Sequence, residues 1–142
     1  MNILPGLEST ASALSAEKVR LDLIGQNIAN AHTTKGPDGK PYARQVVSFE
    51  SQMMEVGTNS DGSPVTATGV KIKSIESDKA PGNIIYNPGH PDADEKGFVQ
   101  MPNVNLTHEM VDMIAASRSY EANLQVVRTS KQMAQQALRI GK

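Results

Sequence analysis

The pattern of apolar and polar positions divides the chain into three zones. In the first, Leu7, Leu14, Leu21 and Ile28 recur every seven residues, and Ala11 and Ile24 widen the same stripe. That spacing predicts an amphipathic helix from Leu7 to about Ala31. Asn30 and the run Thr33-Thr34-Lys35-Gly36-Pro37 supply its stop signal. A weaker stripe of Ala16, Val19 and Leu23 lies on another side. The middle zone, about His32 to Met101, has no helical period. Gln45–Glu50 reads as a strand, and Gly69–Ser74 alternates apolar and polar residues like a half-buried one. Ile84-Ile85-Tyr86 and Phe98-Val99 are shorter strand candidates. Pro37-Asp38-Gly39 predicts a turn and Asn59–Pro64 an exposed turn or loop. Pro88–Asp92 suits neither a helix nor a central strand.

The last zone opens at Asn103-Val104-Asn105. Asn105 or Thr107 can cap a helix by accepting backbone N–H bonds. No Gly or Pro follows until after Ile140, which predicts one long helix. At about 3.6 residues per turn, Met110, Met113, Tyr120, Leu124, Val127, Ala134 and Leu138 form one seam. Val111, Ala115, Ala122, Val126, Met133, Ala137 and Ile140 form a second. Arg118, Glu121, Gln125, Arg128 and Gln132 occupy another side. One partner buries one stripe, so two seams predict two neighbouring surfaces. The first helix can cover one of them, with Leu7, Leu14, Leu21 and Ile28 against Met113, Tyr120, Leu124 and Val127. Ile24 and Ile114 join the same set of interface candidates. The second seam packs either on the middle zone or on another subunit. The scarcity of large apolar side chains in the middle zone favours the other subunit.

Composition sharpens this picture. The chain has 142 residues, a net charge of −1, no Cys and no Trp. One composite unit suits that length. Without cysteine there is no disulfide and no thiolate metal site. The near-neutral charge provides no field directed at nucleic acid or an anionic membrane. Three tyrosines and two phenylalanines are a thin aromatic supply for a core of this length. No apolar run approaches the roughly 18–20 residues of a membrane span. The start, Met1-Asn2-Ile3-Leu4-Pro5-Gly6, has no basic region, apolar block or cleavage site, so no ordinary secretion signal is expected.

Candidate chemistry is sparse. His90, Asp92 and Asp94 are the one cluster resembling metal ligands. A Pro-bounded turn whose Asp side chains bond nearby N–H groups explains it better. Ser117, Ser119 and Tyr120 lack any signal for an oriented base or an oxyanion site. No phosphate-cradling Gly loop precedes a helix. The reading is therefore no enzyme and no cofactor. Asn27 and Asn30 are expected to satisfy backbone groups where the first helix ends, or to bridge to a neighbour. Arg118, Glu121 and Arg128 are candidates for ion pairs between subunits. The competing readings are a metal-dependent enzyme built on His90, Asp92 and Asp94, and an export-associated helical binding module.

Two segments carry a resemblance. Leu21-Asp22-Leu23-Ile24-Gly25-Gln26-Asn27-Ile28-Ala29-Asn30-Ala31-His32-Thr33-Thr34 resembles the N-terminal signature of bacterial flagellar rod and hook proteins. Glu109-Met110-Val111-Asp112-Met113-Ile114-Ala115-Ala116-Ser117-Arg118-Ser119-Tyr120-Glu121-Ala122-Asn123 resembles their shared C-terminal helix. Gly36–Arg44, Tyr86–Asp94 and Gly97–Asn105 look like the short proximal rod members. Gly25-Gln26 departs from the family's more usual Ala/Ser-Asn, at a helix cost of roughly 1 kcal/mol for Gly against Ala.

The resemblance implies a mainly α fold with a small β-rich insert. The two end helices would pair as an antiparallel coiled-coil-like inner domain, residues 1–33 and 102–142, around an irregular β middle region, 34–101. It implies a structural subunit of the basal-body rod, which crosses the periplasm. Subunits would polymerise with copies of themselves and with proximal and distal rod proteins. The product is a hollow shaft that transmits torque and forms the export channel. Delivery would run through the flagellar type III export apparatus without a cleaved signal, and with no direct membrane insertion.

Overall fold

The computed structural model describes residues 4–58 and 62–140. The elements run α1 (Leu4–Ala29), β1 (Gln45–Thr58), β2 (Pro64–Ser77), β3 (Ile84–Tyr86), β4 (Phe98–Gln100) and α2 (Leu106–Ile140). This is two terminal helices enclosing a middle region of two small sheets. β1 pairs with β2, and β3 with β4.

Local chemistry accounts for the boundaries. Pro5 lies in the first turn of α1, where its missing N–H has no helical partner to lose. Past the last full turn, the Asn30 and Ala31 N–H groups donate to Gln26 and Ile28 carbonyls. The Asn30 side-chain amide also donates to the Gln26 carbonyl at 2.9 Å. α2 begins at Asn105, whose Oδ1 accepts the Thr107 and His108 N–H groups at 3.0 and 3.2 Å. Asn105 is therefore the cap and Thr107 is already helical. In the Gly36–Lys40 turn, Gly36 N–H donates to Lys40 O at 2.7 Å. Gly39 adopts φ 76° there, a conformation a Cβ disfavours. β1 and β2 run 14 residues each, well beyond the Gln45–Glu50 and Gly69–Ser74 cores read from alternation. The expected Asn59–Pro64 turn falls partly on residues 59–61, and the opening segment on 1–3, outside the described residues.

Two compact units are present. The first comprises Met1–Arg20, Ser48–Ser74 and Ala115–Lys142. Its buried apolar residues are Ala16, Ala67 and Ala116. Ser9 Oγ donates to the Thr68 carbonyl at 2.7 Å, and Val70 N–H donates to Ser12 Oγ at 3.0 Å. A Cβ on Gly69 would lie 2.7 Å from Ser12 Oγ, so glycine permits this close approach of helix and strand.

The second unit comprises Leu21–Val47 and Ile75–Ile114. It buries Leu23, Ile24, Ala31 and Val99 together with two polar residues, Asn27 and Glu109. β3 and β4 are antiparallel, with Ile85 opposite Val99 and Tyr86 opposite Phe98. The Tyr86 and Phe98 rings meet edge-on with centroids 5.3 Å apart. At Gly82 a Cβ would stand 1.8 Å from the Met101 carbonyl oxygen, so no other residue fits that backbone crossing.

Candidate assembly site

The second unit is organised by a buried polar knot. Asn27 comes from the last turns of α1, Glu109 from the first turn of α2, and Arg44 and Gln45 from the entrance to β1. Asn27 Nδ2 donates to the Gln45 carbonyl at 2.9 Å and to Glu109 Oε2 at 3.1 Å. Its Oδ1 accepts the Gln45 N–H and the Tyr42 hydroxyl, both at 2.9 Å. Both N–H donors and both acceptor positions of the amide are therefore used. Toward Gln45 the amide acts as a short length of strand, both donating and accepting.

Glu109 is fully buried. An isolated buried carboxylate is costly. Arg44 Nε answers it by donating to Oε1 at 2.6 Å, a charge-assisted bond. The Arg44 Nη2 also lies 3.6 Å from Asp112 Oδ2. Asn103 fixes the Arg44 backbone: its Oδ1 accepts the Arg44 N–H at 2.7 Å. Its Nδ2 donates to the Asp78 and Ala80 carbonyls, both at 3.0 Å. Burial, and then the Glu109 carboxylate, push the Tyr42 phenol above its ordinary pKa.

The two helices differ in burial from face to face. On α2, Glu109, Met113, Ala116, Tyr120, Asn123, Val127, Ser130 and Ala134 are buried or half-buried. They alternate four and three apart, the period of a supercoiling seam. Leu124 is also half-buried, whereas Met110, Ile114 and Leu138 are exposed. In the second seam, Val111 is 61 % and Val126 50 % exposed, and Ala115, Ala122, Met133 and Ala137 are open as well. The side chain of Ile140 lies outside the described residues. Arg118, Glu121 and Arg128 are exposed, and none of them makes an ion pair among the described residues.

On α1 the buried positions are Ala16, Leu23, Ile24 and Asn27. Leu7, Leu14, Leu21 and Ile28 are all half-buried. Ala16 and Leu23 of the weaker stripe are thus buried and its Val19 half-buried, while of the leucine stripe only Ile24 is buried and the rest keeps part of its surface open. Asn30 bonds within its own helix end, and its Oδ1 accepts the Thr33 hydroxyl at 3.1 Å.

Sequence reasoning passed over Arg44, Tyr42 and Glu109 as working residues. A signal existed for Glu109: it stands in line with Met113, Ala116 and Tyr120, where a lone carboxylate needs a partner. Asp94 behaves as a turn residue, accepting the Lys96 and Phe98 N–H groups at 2.9 and 2.8 Å. Asp92 Oδ2 accepts the Thr34 hydroxyl at 2.7 Å. Among the described residues no three His, Asp or Glu side chains gather as metal ligands.

Residues 7–37 match the family model for flagella basal body rod protein. Residues 95–140 match that for the C-terminal region of flagellar basal body rod FlgEFG protein. The two matched stretches hold Asn27 and Glu109, the two ends of the knot. The flagellar basal-body rod protein FlgC of Borreliella burgdorferi is 42 % identical, over 99 % of this chain and 98 % of the relative. FlgC of Salmonella typhimurium is 41 % identical over 99 % of both chains. FlgC of Bacillus subtilis is 38 % identical over the whole of both. Full-length likeness at this level leaves one assignment: the chain belongs to the family of flagellar basal-body rod proteins FlgC.

Proposed function

We propose that this chain is a structural subunit of the flagellar proximal rod, built into the basal body with other rod components. The family is structural, not enzymatic, and family membership carries the reading this far. The observation that takes it further is the exposed row Val111, Ala115, Ala122, Val126 and Met133 along a 35-residue helix. A stripe of that length left in water marks a protein interface.

In the assembled state α1 and α2 pair as an antiparallel coiled-coil-like inner domain, residues 1–33 with 102–142. Residues 34–101 form the middle region between them. The four–three spacing from Glu109 to Ala134 supports the pairing, because a period of about 3.5 keeps one seam facing its partner. Leu7, Leu14, Leu21, Ile28, Met110, Ile114 and Leu138 hold the surface left over for neighbours. Those neighbours are other copies and other proximal and distal rod proteins. Non-closing contacts between them build a helical, hollow shaft, which transmits torque and leaves a channel for export. The subunit works in the periplasm and arrives through the flagellar type III apparatus without a cleaved signal.

The test is an image of isolated basal bodies carrying a labelled version of this subunit. Label in the rod, below the hook, is the expected result. Label confined to soluble cell fractions overturns the reading and favours an export-associated binding module.

A further inference from the structure

We infer that the open edge of β3 pairs with β3 of a second copy of this chain, giving a two-fold dimer joined through a four-stranded antiparallel sheet. The contact goes beyond the rod reading and belongs to the subunit before it is built in.

The ladder between β3 and β4 fixes which backbone groups face outward. The Met101 N–H donates to the Asn83 carbonyl and the Asn87 N–H to the Gly97 carbonyl, both at 2.8 Å. Hydrogen-bonded pairs alternate with open ones in an antiparallel ladder. Ile84 faces Gln100 and Tyr86 faces Phe98 in the open pairs. Ile84 and Tyr86 therefore turn their N–H and C=O groups away from β4, where none of the four has a partner among the described residues. Outward groups elsewhere are covered. On β4 the Phe98 N–H donates to Asp94 Oδ1 at 2.8 Å, and its carbonyl accepts the Asp94 N–H at 2.9 Å. On β2 the Thr68 carbonyl and the Val70 N–H bond to Ser9 and Ser12. β3 has no such cover, and no charged residue stands between Asn83 and Gly89. An uncharged, apolar edge of this kind is a template for another strand.

The match of side chains identifies that strand. Ile84 and Tyr86 are 69 % and 68 % exposed and share a face with Phe98. Against an antiparallel second β3, Ile84 stands opposite Tyr86 of the other copy, and Tyr86 opposite Ile84. Each pair exchanges two hydrogen bonds, which uses all four open groups of each copy. Each pair also sets a β-branched side chain against an aromatic one, a favourable cross-strand combination. Two strands of three residues are marginal alone, and the pairing doubles the sheet. Area sets the strength. Ile84, Ile85, Tyr86 and Phe98 offer on the order of 400 Å² of open side chain per copy, on a scale of ~150–250 Å² for a whole aromatic. The pair buries less than the ~1,000 Å² of a lasting interface, so the dimer is weak and reversible. A two-fold contact closes on itself and cannot propagate. It parts as the subunit enters the rod.

The chain has no cysteine, so Ile85→Cys supplies its only thiol. In the paired sheet, position 85 faces position 85 of the second copy in an open pair, with Cα atoms about 4.5 Å apart, within the span of a disulfide. Purified full-length Ile85→Cys, mildly oxidised, should form a disulfide dimer at least tenfold faster than Lys96→Cys, whose exposed thiol lies in the turn before β4. Adding Ile84→Pro should bring the rate down to that control, because it removes an outward N–H and leaves the β3–β4 ladder bonded. The parent chain should sediment with a mass that rises with concentration toward that of a dimer, and Ile84→Pro should flatten the rise. Equal rates for the two thiols, a rate unmoved by Ile84→Pro, or a parent chain that stays monomeric up to millimolar concentration overturns the proposal and leaves the rod reading intact. Disulfide dimers of Ile85→Cys inside isolated basal bodies overturn the parting on assembly.

Discussion

The Asn27 amide donates to the Glu109 carboxylate at 3.1 Å across 82 positions of sequence. This bond joins the end of the first helix to the start of the last. Arg44 and Gln45 complete it from the β side, so three remote segments are fixed at one point. Asn27→Ala strands the Gln45 N–H, the Tyr42 hydroxyl and one carboxylate oxygen. The expected loss is about 2–3 kcal/mol, the cost of leaving buried polar groups unpaired. Glu109→Ala removes the buried partner of Arg44, and about 3 kcal/mol is expected, because breaking a buried pair costs more than the pair contributes. Urea unfolding of each variant against the parent chain checks both. A loss under 0.5 kcal/mol, roughly that of an ordinary surface substitution, would show that the knot does not hold the unit.

Two glycines make opposite predictions. At Gly82 a Cβ would collide with the Met101 carbonyl oxygen at 1.8 Å, whereas at Gly25 nothing lies within 4 Å. Gly82→Ala should cost about 3 kcal/mol, since backbone has to move to admit the methyl group. Gly25→Ala, inside α1, should add about 0.5–1 kcal/mol by lowering the entropy of the unfolded chain. Thermal melting of the pair, run side by side, separates local crowding from a general intolerance of change.

How much of this was legible in the sequence differs from element to element. The helices were, because a period near 3.6 and the absence of Gly and Pro from Asn105 to Ile140 leave little else. β1 was legible in its first half, Gln45–Glu50, and β2 over Gly69–Ser74. Ser51–Thr58 carries no clean alternation and takes its regularity from pairing with β2, whereas Val65-Thr66-Ala67-Thr68 alternates as the rest of β2 does. The depth of the helix rows was not legible. Periodicity finds the stripe Leu7, Leu14, Leu21 and Ile28 but does not say whether its partner is the same chain or another one. The buried positions include Ala16 and Asn27, a small residue and a polar one, which hydrophobicity ranks low. Arg44 and Glu109 escaped notice because a charged residue is most often solvated, and only the fold brings this pair together.

Alkaline pH should weaken the knot through Tyr42. Its phenol is held above the usual value near 10 by burial and by Glu109. The folded state therefore keeps the proton that the unfolded chain gives up. Stability is fully present below the unfolded pKa and is lost as pH rises through the raised folded one. Melting temperature should fall from about pH 10 upward. Tyr42→Phe should flatten part of that limb while lowering stability at neutral pH, where its bond to Asn27 Oδ1 is missing. An unchanged alkaline limb in Tyr42→Phe would assign the effect to other groups.

Leu124 and Val126 are two positions apart on α2 and predict different failures. Leu124 is half-buried, so Leu124→Asp partly desolvates a carboxylate and should destabilise the subunit as well as abolish rod assembly and swimming. Val126 is 50 % exposed, so Val126→Asp should change the stability of the free subunit by about 0.5 kcal/mol or less, as surface substitutions do. It nevertheless puts a charge into the open row that neighbouring subunits are proposed to cover, where an unpaired buried charge is strongly disfavoured. The expected result is a normally folded, exported subunit that does not enter the rod, with motility lost. Melting curves, secretion and swimming, measured on the same strain, check the three parts. A Val126→Asp strain that swims normally would mean that this face of α2 stays in water after assembly. The second seam would then need a different explanation from subunit packing.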